Sequence, residues 1–172
     1  MNEISKEAIK EKDILFNNMQ TLMLSTLDKE MSPNCSYAPS AIDPENGSFY
    51  IYISQLSKHT SNLLENNQLS AMIIEDESNS KFLFGRKRFT FDALATVVDR
   101  DSDEWNNKIN ILEDKFGESI KFLKPLKDFI LFEISPKDEG LLVYGFGRAF
   151  KFTGHKLNKI KFLNEVGHNK EK

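Results

Sequence analysis

The amino-acid sequence predicts a β-barrel with peripheral helices, an antiparallel sheet of six or seven strands in the α+β class. Three observations point there. Aromatic residues make up 11% of the chain, with 14 Phe, and most of those Phe sit in short alternating runs that suit a pleated, half-buried surface. Turn signals such as Asn46-Gly47 separate the runs, so neighbouring strands join as hairpins. No regular strand–helix–strand alternation occurs, which leaves a sheet that closes or nearly closes on itself. With 172 residues the chain is read as one domain over 1–172, with an N-terminal helix over 1–18 and a C-terminal tail over 153–172.

Taken in order, Glu3 to Asn17 is an amphipathic helix with Ile4, Ala8, Leu15 and Phe16 as its apolar stripe. Thr21 to Thr26 is a first strand, and Asp28-Lys29-Glu30 a tight polar turn. Pro33 to Ser40 is a second strand whose prolines suit an edge or a bulge. The third, Phe49 to Ile53, is β-branched or aromatic at every position and follows the Asn46-Gly47 turn. Leu63 to Asn67 completes a short helix, and Gln68 to Ile74 returns as a fourth strand. Phe82 to Val98 reads as the longest strand, bent at Gly85 and interrupted by Arg86-Lys87-Arg88. Asp103 to Phe116 is a helix with Asp103 as cap and Gly117 as stop, followed by a short helical piece at Ser119 to Leu123 that Pro125 ends. Asp128 to Ile134 and Gly140 to Phe152 are two further strands joined by a Ser-Pro-Lys-Asp-Glu-Gly turn.

Composition narrows the function classes. A net charge of -3 without a long block of like charge gives nucleic acid no general attraction. The single Cys35 rules out an internal disulfide or a thiolate metal cluster and fits a reducing compartment. No apolar run approaches about 18 residues and the first residues lack a secretory pattern, so a soluble, cytoplasmic protein is expected.

Three constellations carry candidate chemistry. After the third strand, Ser54, Ser57, Lys58, His59, Thr60, Ser61 and Asn62 crowd against a helix start, where backbone N–H groups, hydroxyls and a cation suit a phosphate or carboxylate. An ordinary capped, solvated helix start is the alternative there, and His59 is either an anion donor or a helix-start histidine. In the second, alternation places Arg86 and Arg88 on one strand face and Lys87 on the other. Two guanidinium groups side by side repel unless they meet an anion; the alternative is an edge strand protected by charge. The third is Gly145-Phe146-Gly147-Arg148, with glycines placed in a strand, followed by a basic tail carrying His155 and His168. By itself, His168 reads as a solvated terminal histidine.

The run YISQLSKHTSNLLENNQLSAMIIED resembles the FMN-binding split-barrel superfamily that includes pyridoxamine-phosphate oxidases. Within it, RKRFTFDALA (86 to 95), Lys127-Asp128-Phe129 with LFEISP, GFGRAF (145 to 150) and EVGH (165 to 168) are similar to HugZ/HutZ-type haem-degrading and haem-utilisation proteins. The resemblance implies a homodimeric split barrel binding haem at or near the subunit interface, with His168 as axial ligand to the iron. It implies that Asp128 orients or polarises that histidine, within one subunit or across the dimer, and that Arg88, Arg86, Lys58, His59 and Arg148 lie near the cofactor. The implied reaction is oxygen-dependent opening of haem, which is substrate and cofactor at once, to a biliverdin-like product, iron and carbon monoxide, with electrons from an external donor. The alternatives are an FMN-dependent oxidoreductase using Ser57, Lys58 and Arg88 as phosphate contacts, and a non-catalytic haem carrier.

Overall fold

The computed structural model describes residues 3–162. The elements are α1 (Glu3–Asn18), β1 (Thr21–Leu27), β2 (Pro33–Ile42), β3 (Phe49–Ser54), α2 (Lys58–Glu65), β4 (Gln68–Ile74), β5 (Arg88–Val97), α3 (Asp103–Phe116), α4 (Glu118–Leu123), β6 (Phe129–Val143), β7 (Ala149–Thr153) and β8 (Lys159–Phe162). Single 3-10 turns occur at Glu77–Asn79, Leu83–Gly85 and His155–Leu157. The eight strands form one sheet in the order β3-β2-β1-β4-β5-β6-β7-β8, and β3 pairs in addition with β6. That second pairing, from Phe49 opposite Ile134 to Ser54 opposite Phe129, closes β1 to β6 into an antiparallel six-stranded barrel. Strands β7 and β8 extend the sheet beyond it. Among the described residues no helix is long and apolar enough to cross a membrane.

The hydrophobic pattern explains the closure. Strands β1 and β4 alternate buried and less buried residues, with Leu22, Leu24, Leu69, Ala71 and Ile73 turned into the barrel. Strand β3 is buried along Phe49–Ile53 because both its faces are covered. Phe49, Ile51 and Ile53 join the barrel core, while Tyr50 and Tyr52 join Trp105, Ile109 and Leu112 in a second core under α3. A strand covered on both faces reads as a continuous apolar run. Full burial of each such side chain contributes roughly 1.5–3 kcal/mol, so Phe49, Ile51, Phe132 and Ile134 anchor the seam. Helix α1 packs Phe16 edge-on against Phe49 and Phe89.

Pro33 and Pro39 sit where the sequence suggested, in a partial edge: residues 33–39 of β2 pair with β1, and β3 joins only from Ser40. Elsewhere the structure corrects the reading. The expected strand from Phe82 begins only at Arg88, since Leu83–Gly85 is a 3-10 turn. Ser135 to Gly140 is no turn: β6 runs on through it, irregularly paired opposite Phe91 and Ala93, and the hairpin falls at residues 144–148. Gly145 and Gly147 therefore belong to that turn, with φ of 72° and 73°, and not to a strand. Ser102, not Asp103, caps α3 by accepting from Trp105 N. The stretch read as a tail from residue 153 begins with a 3-10 turn and β8, the eighth strand.

Candidate functional site

Where β3 runs out of apolar residues, its polar successor turns into α2, which starts at Lys58 rather than later, so Lys58 and His59 lie in its first turn. Thr60 Oγ1 donates to the Ser54 carbonyl at 2.7 Å, and buried Asn62 Nδ2 donates to Thr26 Oγ1 at 2.9 Å, which ties the helix to the end of the barrel. Ser57 takes the N-cap position in extended conformation, yet its hydroxyl makes no capping bond. Lys58 is exposed, with Nζ 3.4 Å from Asp28 Oδ2. Backbone N–H donation from Ser32, reinforced by Glu30 and Lys58, holds the Asp28 carboxyl below its usual range. Burial pushes the His59 imidazole down, favouring its neutral form, and Nε2 is buried without a hydrogen-bond partner among the described residues. A buried ring nitrogen is costly to leave unpaired, which makes His59 Nε2 a candidate for contact with a group outside the described residues.

Beside this turn, Asp128 immediately precedes β6. Ser54 Oγ donates to Asp128 Oδ2 at 2.8 Å, and Gln55 N donates to the Asp128 carbonyl at 2.7 Å. The strap leading to Asp128 is held by Arg100. Its guanidinium donates to the carbonyls of Lys124 at 2.9 Å, Leu126 at 2.7 Å and Phe129 at 3.0 Å, and to the Tyr52 hydroxyl. It also stacks over the Trp105 ring at 5.2 Å. Sequence reasoning singled out neither role: Ser54 was one hydroxyl in a polar run, and Arg100 sits in an unremarked loop far along the chain.

The cation run resolves differently from its sequence reading. Arg86 lies before the strand and turns back, with Nε donating to the Glu75 carbonyl at 2.7 Å and Nη1 to Glu77 Oε1 at 2.9 Å. Lys87 forms an ion pair with Glu11. Arg88 opens β5 half-buried; its Nη1 donates to the Arg86 carbonyl at 3.1 Å, and it has no carboxylate partner among the described residues. Two of the three cations are neutralised and one is left for an outside anion. Next to them Gly145 N donates to the Gly85 carbonyl at 2.8 Å, which brings the exposed rings of Phe82, Phe84 and Phe146 together. Arg148 is exposed, and Nη1 donates to Glu7 Oε1 at 3.0 Å. A cleft of about 620 Å³ opens on the same side, with Ile14, Met19 and Met23 on its apolar wall and Glu75, Asp76 and Arg86 on its polar one.

These groups do not meet within this chain. Lys58, His59, Ser54 and Asp128 cluster at the end of the sheet where β4 starts, with Gln68 opposite Leu94. Arg88 lies at the other end of the same pair, opposite Ile74, six residues or roughly 20 Å along β5. His168 lies outside the described residues.

Residues 8–142 match the family model described as pyridoxamine 5'-phosphate oxidase. A Vibrio cholerae protein named heme oxygenase HutZ is 44% identical over 151 residues, covering 88% of this chain and 84% of that one. The chain belongs to the pyridoxamine 5'-phosphate oxidase family, in the group that contains HutZ. A crystal structure of Vibrio cholerae HutZ, described there as a heme storage protein, matches this family member at a TM-score of 0.74 and 42% identity, over 80% of this chain and 95% of that one. The structure of Campylobacter jejuni ChuZ matches at 0.84 and 26% identity, over 99% of this chain and 67% of that one. The closed barrel with two added strands is thus the split barrel of this family.

Proposed function

We propose that this chain binds haem and opens it oxidatively, as part of iron acquisition. The observation that carries the reading is the 44% identity to a protein named heme oxygenase over 88% of the chain. The residues present suit such a substrate. A porphyrin is a broad apolar ring with two carboxylates. Arg88 offers a guanidinium without a carboxylate partner among the described residues, His59 an unsatisfied buried nitrogen, and Phe82, Phe84 and Phe146 an apolar surface next to Arg86. In this reading His168 ligates the iron, Asp128 accepts from its imidazole, Arg88 holds a propionate or faces the oxygen side, and Arg86, Arg148 and Lys58 set the surrounding charge. Because Arg88 and Asp128 lie at opposite ends of the sheet, a homodimer that apposes one protomer's Arg88 end to its partner's Asp128 end completes the site. Dioxygen and electrons from an outside donor are consumed, a meso carbon leaves as carbon monoxide, and iron and a biliverdin-like product are released.

The description of HutZ as a heme storage protein favours a second reading, a haem carrier without turnover. Hemin titration followed by ascorbate in air decides between them. The expected result is a Soret band that grows to saturation and is then replaced by verdohaem- or biliverdin-like absorption. A Soret band that persists with ascorbate makes the protein a carrier, and a chain that purifies yellow with FMN and gives no Soret band removes haem altogether.

A further inference from the structure

Phe82, Leu83, Phe84 and Phe146 are large apolar side chains turned to water. Leu83 is 63% exposed, Phe146 70% and Phe84 87%, although a strand through this stretch would bury alternate positions. They occupy the tips of two turns, the 3-10 turn Leu83–Gly85 and the hairpin turn between β6 and β7. Backbone contact fixes the two turns together. Gly145 N donates to the Gly85 carbonyl at 2.8 Å, and Gly85 is packed so closely that a Cβ there would stand 2.7 Å from the Gly145 carbonyl carbon. The rings meet across this joint, with Phe82 5.6 Å from Phe84 and 6.4 Å from Phe146 between centroids. The cleft of about 620 Å³ on the same side is bounded by other side chains, so the rings project from the surface rather than wall that cleft.

Contiguous exposed apolar side chains mark an interaction surface, and the surroundings here select its partner. Lys81, Arg86, Lys87, Arg88 and Arg148 flank the rings in the two turns and at the start of β5. Glu77 and Glu11 hold Arg86 and Lys87, whereas Lys81 and Arg88 have no carboxylate partner among the described residues. The Arg148–Glu7 pair is exposed, so it contributes little and exchanges readily for a phosphate. We propose that this aromatic end docks on an anionic lipid surface, with the rings at the acyl boundary and the cations at the level of the phosphates. The backbone suits that environment, where an unpaired N–H is costly. Gly85 N donates to the Phe82 carbonyl at 3.0 Å and Arg86 N to the Leu83 carbonyl at 3.3 Å, so the tips enter a headgroup layer without stranding those donors. This inference goes beyond the haem reading and does not depend on it.

The test is flotation of the full chain, without hemin, on phosphatidylcholine vesicles with and without phosphatidylglycerol. The parent is expected to float with the phosphatidylglycerol vesicles, less with phosphatidylcholine alone, and less as salt is raised. Replacing both rings, Phe84→Ser with Phe146→Ser, is expected to lower the partition coefficient by about tenfold or more, with the circular dichroism spectrum unchanged because both positions are exposed. Lys81→Glu is expected to lower binding only where phosphatidylglycerol is present. Phe84→Trp adds a second tryptophan to the buried Trp105, and its emission is expected to shift to the blue on vesicles and to be quenched by brominated lipid. A parent that stays in the aqueous fraction, or a double variant that binds as the parent does, overturns the lipid role. If the parent does not float and the double variant has a smaller oligomeric mass by light scattering, a second copy of the chain covers the rings and the lipid role is again overturned.

Discussion

At the scale of single residues, His59 links the candidate site to solution conditions. Burial lowers its imidazole below the ordinary histidine value near 6.5. The unfolded chain therefore binds more protons than the fold in the window below that value, and stability falls as pH falls through it. Acidification from pH 7 toward pH 5 is expected to lower the melting temperature of the parent more than that of His59→Gln, in which the group no longer titrates. Equal slopes in thermal melts across that range would show that His59 does not carry the effect. The same scale separates the three consecutive cations: Glu77 and Glu11 take Arg86 and Lys87, so only Arg88 stands ready for a ligand's charge.

At the scale of elements, the long β6 governs the shape of the barrel. It pairs with β3 through its first residues, with β5 along most of its length and with β7 at its end, and Gly140 lies where these roles change over. A Cβ at Gly140 would stand 2.4 Å from atoms of the buried Phe89 ring. Gly140→Ala is expected to cost roughly 1–3 kcal/mol by overpacking, measured as a lower urea midpoint at unchanged slope. Element existence was legible where burial alternates or is continuous, as in β1, β3, β4 and α3. Local periodicity failed at residues 82–87, where apolar residues lie exposed in a 3-10 turn because backbone contact with the 145–146 turn outweighs strand propensity. It failed again at residues 135–140, whose turn-like composition sits inside a paired strand. The hydrogen bonds from Ser54 and Gln55 to Asp128 link positions far apart in the chain, so residue patterning carries no signal of them.

At the scale of the whole molecule, the candidate groups are divided between two ends of one sheet, and the homodimer proposed above is what would bring them together. Mixing an inactive Arg88→Ala protein with an inactive Asp128→Asn protein, with subunit exchange, is expected to recover part of the hemin turnover, because in the proposed dimer one of the two sites in each heterodimer is then built from intact halves. No recovery in a mixture shown to have exchanged subunits would mean that each protomer works alone. The fold class and the polar turn after β3 could be read from residue order; the separation of Arg88 from Lys58 and Asp128 emerged only from strand register.

The closing seam between β3 and β6 also shapes how the protein acquires its site over time. Ser54 and Asp128 are 74 residues apart in sequence and meet only when that seam zips. Pairings of such long range pay their loop-closure entropy before they gain contacts, so they form late and slowly. The Ser54–Asp128 hydrogen bond is thus among the last features to appear during folding, and a chain whose barrel is still open holds the Asp128 carboxylate without its hydroxyl partner.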